Sequence, residues 1–199
     1  MSAGTEQEAA GHDQAAADTA SFPMAPLIRG TLLTLYLALV LPLPALAPAS
    51  LQPWLWAALP LGLVVILALV SEQVELSGAG IRVGHPAWCA WLLRRGWQLR
   101  WEQITGLTPV TTSQGGRVFY VRTEDGSAYL LPQRVQAFEA FLSRFSQQTG
   151  LGTSSIGRIS PPWTYQLLAV LSASLLLAEL MAGWALATGR WALPPGLAM

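Results

Sequence analysis

Lysine is missing from this 199-residue sequence, and all 11 basic side chains are arginine. Charge of either sign is scarce, at 11% of residues, well under the ~25% of an ordinary soluble domain. Apolar residues make up 52%, so part of the chain is suited to lipid. Cys89 is the single cysteine, which rules out an internal disulfide and fits a cytoplasmic domain. Histidine occurs only at His12 and His85, neither beside a second ligand type at metal spacing. The apolar runs contain no histidine at all, so imidazole ligation of haem or pigment is excluded there. Formal net charge is zero, and the arginine excess over residues 72–158 is small and scattered, which is no nucleic-acid footprint.

Reaction chemistry is equally sparse. Catalysis needs a nucleophile with a base, paired carboxylates or a metal set. Glu124-Asp125 is a carboxylate pair by sequence, but it falls in a turn, where Asp is expected for turn reasons. Gly115-Gly116 precedes a strand, whereas a phosphate-cradling loop would precede a helix. The expectation is a protein that is not an enzyme, with no catalytic residues, metal, cofactor or evident small-molecule substrate.

What is present starts with Trp97–Gly150. Trp97, Leu99 and Trp101 alternate with Gln98 and Arg100, as in a half-buried strand. Arg117–Thr123 is β-branched and aromatic, and Asp125-Gly126 reverses it into Ala128–Leu131, a hairpin signal. After Pro132 the period becomes helical, with Val135, Phe138, Phe141, Leu142 and Phe145 on one face and Gly150 as the stop. Upstream, Val74 and Leu76 alternate with polar residues, and Gly78-Ala79-Gly80 turns the chain into Ile81-Arg82-Val83.

Three apolar runs flank this domain. Residues 27–71 hold two candidates, with Prolines 42, 44 and 48 breaking the first and Trp54 and Trp56 anchoring one end of the second. Each is about 20 residues long, enough for a ~30 Å hydrocarbon core. Their short, Pro-rich connection predicts a helical hairpin. Ala45-Leu46-Ala47 resembles a signal-peptidase site, but the region before it is long and acidic where a signal needs a short basic one. The third run, 163–188, follows a Gly/Ser/Pro linker at 151–162 and precedes a short tail at 189–199. Residues 1–26 read as a disordered acidic tail. The 48–53 connection has no arginine while residues 72–158 have nine. By the positive-inside rule the domain and N-terminus face the cytoplasm and the C-terminus lies opposite.

Two stretches stand out as contact candidates. In residues 85–96, Trp88, Trp91, Arg94 and Arg95 could lie on an anionic membrane surface, or the segment could be a strand and loop covering the sheet. In the third run, Glu179 is the one ionisable residue, and an ionised form facing lipid would be costly. Ser172 and Gly183 share its face, and Ser174, Ala178 and Ala182 form a small-residue row that allows close helix approach. Either Glu179 makes a polar contact to a partner membrane protein or to the hairpin, or it is a protonated side chain packed in the protein's own bundle.

Two membrane helices followed by GIRV, WEQITGL, RVFYVRTEDGSAYLLP and a final amphipathic helix resemble the bacterial pleckstrin-homology-like (PH-like) membrane proteins over residues 72–150. The resemblance implies a strongly bent sheet of about seven strands capped by one C-terminal helix. The helical hairpin, EQI and RVFYVR with its Gly turn are also similar to the photosystem I assembly proteins of cyanobacteria and chloroplasts, non-catalytic scaffolds whose domain lies on the cytoplasmic face. The first hairpin loop, Gly78-Ala79-Gly80, lacks the basic residues of a phosphoinositide site.

The expected fold class is therefore an α+β membrane protein, with three transmembrane helices and a PH-like antiparallel sheet capped by an amphipathic helix. The expected function is a membrane-anchored scaffold or assembly factor in a bacterial inner or thylakoid membrane, its domain binding a protein partner within a membrane complex. The alternatives are an anionic-lipid-binding module and an accessory subunit of a transporter or channel.

Overall fold

The structure is a computed structural model that describes residues 19–93, 96–113, 115–157 and 162–190. These fall into two compact units: one of sheets and a helix, running up to Ala25 and resuming at Ser71, and one of apolar helices, Pro26–Val70 with the C-terminal helix.

The sheet unit is α+β. Strands β1 (Ala20–Pro23), β2 (Gln73–Ser77), β3 (Gly80–Gly84) and β4 (Trp97–Arg100) form an antiparallel sheet in the order β1-β2-β3-β4. Strands β5 (Ile104–Thr111), β6 (Arg117–Thr123) and β7 (Ala128–Leu130) form a second antiparallel sheet in chain order. A single turn of 3-10 helix, Trp101–Gln103, carries the chain from one sheet to the other. Trp101 stays buried there because its indole N–H donates to the Ser77 carbonyl at 2.9 Å.

Alternation does the packing. Val74, Leu76, Ile81, Val83, Leu99, Phe119 and Val121 turn inward from the strands into one core. The helix Phe138–Thr149 closes that core, with Phe138, Phe141 and Phe145 fully buried on one face. Phe145 meets Trp101 edge-on, with centroids 5.9 Å apart.

Two boundaries differ from those expected. The acidic tail read over 1–26 does not extend that far: Ala20–Pro23 is a strand paired with β2, and Phe22 lies in the core. Four residues with one large apolar side chain carry no periodic signal, and their partner lies beyond the whole hairpin. The amphipathic helix also begins later than its apolar period implies. Val135 is buried but bridges to Met24, and Ala137, at φ 50°, turns the chain before Phe138.

The other unit contains α1 (Pro26–Val40), the short α2 (Leu43–Leu46), α3 (Gln52–Leu69) and the C-terminal helix Pro162–Ala187; with the Phe-rich helix as α4, this last is α5. Among the described residues three helices, Pro26–Leu46, Gln52–Leu69 and Trp163–Ala187, are long and apolar enough to cross a membrane. Pro42 and Pro44 end α1, as their lack of an N–H requires. Tyr36 of α1 donates its hydroxyl to the Leu59 carbonyl of α3 at 2.6 Å. Gly62 makes this possible, since a Cβ there would collide with the Tyr36 hydroxyl. Thr31 lies near the Tyr165 carbonyl at 3.4 Å, and α1 and α5 lie side by side.

Candidate functional site

After β3 the described residues 85–93 are not the strand of the second reading, and they make helical turns. The Cys89 and Ala90 amides both donate to the Pro86 carbonyl, at 3.1 and 3.0 Å, and Leu93 donates to Cys89 at 3.3 Å. Cys89 is buried beneath these turns. Trp88 and Trp91 stand on their outer side, 52% and 80% exposed, with Leu92 beside them at 45%. The structure thus brings the two tryptophans together on one surface. Arg94 and Arg95 lie outside the described residues.

The α5 candidates divide between two faces. Ser172 is buried, and Glu179 and Ala182 are half-buried on the same side of the helix. The Ser172 hydroxyl is satisfied within its own helix, donating to the Leu168 carbonyl at 2.8 Å. Glu179 Oε2 is buried with no hydrogen-bond partner among the described residues. Ser174, Ala178 and Gly183 are exposed, so the small-residue row is open along most of its length. A side chain added at Gly183 would meet nothing.

One feature of the sheet unit carried no signal in the sequence. A cleft of about 590 Å³ opens where β3 and β4 face β7, lined by Glu72, Val83, His85, Trp97, Tyr129 and Leu130 among others. Within this lining the Trp97 and Tyr129 rings meet with centroids 5.3 Å apart. His85 Nδ1 is buried without a hydrogen-bond partner among the described residues. Trp97 and Tyr129 belong to different sheets, so only the tertiary fold brings them together. Among the described residues no three His, Cys, Asp or Glu side chains gather as a metal set.

In the turn that joins β6 to β7, Asp125 accepts hydrogen bonds from the Thr123 hydroxyl and from the amide and hydroxyl of Ser127, the last two at 3.0 Å. The Thr123 hydroxyl, then Ser127, hold its carboxyl below the usual carboxylate range. All of these bonds are internal to the turn.

No family model and no solved structure matches the chain. A protein of the cyanobacterium Synechocystis sp. (strain ATCC 27184 / PCC 6803 / Kazusa), described as "Uncharacterized protein slr0269", is 46% identical over 153 residues, covering 74% of this chain and 77% of that one. Identity at that level over most of both sequences is shared ancestry, and the chain belongs to the family of this Synechocystis protein.

Proposed function

We propose that the protein is a non-catalytic scaffold or assembly factor, held in a membrane by three spans and presenting a PH-like domain to a protein partner. The observation that carries this reading is the way the domain is tethered. β1 and β2 are neighbours in one sheet, yet the whole helical hairpin lies between them in sequence. The Ala25 amide donates to Arg134 at 2.8 Å and the Met24 amide to Glu72 at 3.2 Å, so the sheet is bonded up to the residue before α1. A domain pinned at both ends of a hairpin suits a fixed docking platform better than a mobile one.

Other features support it. Residues 72–150 hold six strands in two sheets followed by one helix, close to the seven or so strands and closing helix that the PH-like resemblance implies, with β1 from before the hairpin as a seventh. Trp54 and Trp56 at the start of α3 and Trp163 and Trp184 toward the ends of α5 are exposed where interfacial anchors belong. Since β1 and β2 are paired, residues just before and just after the hairpin lie on one side of the bilayer. The arginines of the sheet unit favour the cytoplasm for that side by the positive-inside rule. The partner on this reading is a membrane protein complex, and the resemblance to the photosystem I assembly proteins points to a photosynthetic one. The exposed Ser174 and Ala178 leave one face of α5 open to a neighbouring helix.

Purification of the tagged full chain in mild detergent tests this. A membrane complex retained in fixed stoichiometry is the expected result. Recovery of the chain alone, monodisperse and folded, would count against it.

A further inference from the structure

Strand register shows which end of the sheet carries the chain's connections to the helical hairpin. Gln73, the first residue of β2, is paired on one side with Pro23, the last residue of β1, and on the other with Gly84, the last residue of β3. This row marks one end of the sheet. The chain passes from it into α1 after Ala25, returns to it after α3, and leaves it again at His85. The other end carries the Gly80–Arg100 pair and the 3-10 turn, where Glu124 donates its amide to Gln103 at 3.3 Å.

The covalent distance is short. α3 ends at Leu69 and β2 begins at Gln73, and Pro23 is followed almost at once by Pro26. At ~3.6 Å per residue the row can be no more than about 14 Å from the end of α3. The β3–β4 connection therefore starts within reach of the lipid headgroups.

Its outer surface has the chemistry of that layer. Trp88, Trp91 and Leu92 are spaced as i, i+3 and i+4 on helical turns, with Cys89 turned inward. Trp91 donates its indole N–H to the Trp88 carbonyl at 2.9 Å, so this donor is satisfied before it enters an apolar layer. Large amphipathic rings gain most at the interface between headgroups and acyl chains.

We infer that Trp88, Trp91 and Leu92 form an interfacial anchor, seated in the leaflet from which the protein's own spans emerge, with the lipid surface as its ligand. The anchor gives the sheet unit a third attachment beside the two ends of the hairpin. This inference rests on the reading of the three apolar helices as membrane spans.

The test uses the full chain in vesicles of phosphatidylcholine and phosphatidylglycerol, with Cys89→Ala and an environment-sensitive NBD label at one position at a time. The sites are Ala90→Cys in the loop, Glu124→Cys at the far end of the sheet and Leu171→Cys within α5. Expected is a blue-shifted Ala90→Cys emission, quenched by lipids spin-labelled near the headgroup, while Glu124→Cys emits as in water. Adding Trp88→Ala and Trp91→Ala should abolish the shift and leave Leu171→Cys unchanged. An Ala90→Cys label as aqueous as Glu124→Cys, with Leu171→Cys deep in lipid, overturns the anchor and leaves the spans standing. A Leu171→Cys label in water removes both. A loop label shielded from water but untouched by lipid quenchers also overturns the anchor, because protein rather than lipid then covers the loop.

Discussion

Phe22 meets Phe141 edge-on, with ring centroids 5.7 Å apart. The first ring lies on a strand made before the hairpin and the second on the helix that closes the core. Both rings are buried, and neither packing surface is complete without the other. Phe22→Ala is therefore expected to destabilise the sheet unit by about 3–5 kcal/mol. Limited proteolysis of the membrane-reconstituted chain, comparing cleavage within residues 72–150, measures this. Unchanged protection would mean that β1 is a dispensable edge.

Ala137 tests the backbone instead of the core. Its φ of 50° places an exposed, non-glycine residue in the left-handed region immediately before α4. A left-handed L-residue costs roughly 1–2 kcal/mol, whereas glycine adopts this conformation freely and loses part of the gain to unfolded-state entropy. Ala137→Gly should be neutral to slightly stabilising, and Ala137→Val destabilising by about 1–2 kcal/mol or more. The order of thermal midpoints, Gly at or above Ala and both above Val, is the measurement.

Asp125 sets a pH dependence for the hairpin between β6 and β7. Its folded pKa lies below its ordinary value, so the unfolded state takes up the proton first as pH falls. The turn's contribution is complete above the ordinary carboxylate pKa and is lost as pH drops through the lowered folded one. Amide exchange at Ser127, whose N–H donates to Asp125, should accelerate over that acidic window beyond the intrinsic trend. In Asp125→Asn the extra acceleration should vanish. If the wild type and Asp125→Asn show the same profile, the carboxylate does not hold the turn.

Tyr36 and Gly62 form a coupled pair in the helical unit. Tyr36→Phe removes the hydroxyl that reaches Leu59, and polar contacts between membrane helices are worth about 0.6 kcal/mol on average. Gly62→Ala should cost more in the wild type, where the new methyl strikes the Tyr36 hydroxyl, than in the Tyr36→Phe background. A double-mutant cycle on detergent denaturation reads this coupling. Strict additivity would show that the hydroxyl has room to move.

Local chemistry was the part legible in the sequence. Asp125-Gly126 lies in the expected turn with Gly126 at φ 82°, and the Phe-rich face of α4 packs inward. The three apolar runs became helices with bounds close to those expected. Pairings across long separations were not legible. β1 is too short to show a readable period, because only Ala20 and Phe22 turn toward the core and Ala20 is small. The alternation of Trp97, Leu99 and Trp101 also ran across a break, since the 3-10 turn at Trp101 keeps that ring buried while the chain changes sheets. Among the candidates, Trp88 and Trp91 could be singled out as apolar side chains without a core to fill. The cleft beside Trp97 and Tyr129 could not, for its walls come from both sheets.

The placement of the hairpin between β1 and β2 orders events during biosynthesis. β1 leaves the ribosome first and has no strand to pair with until both hairpin helices and β2 have been made. Until then its open edge needs either solvent or a chaperone, since an unpaired strand invites association with other chains. The later strands and α4 follow in chain order, each beside its predecessor within its own sheet. On the proposed reading of the hairpin as two membrane spans, completion of the sheet on β1 would report that both helices have been threaded and that the chain has returned to the side from which it set out.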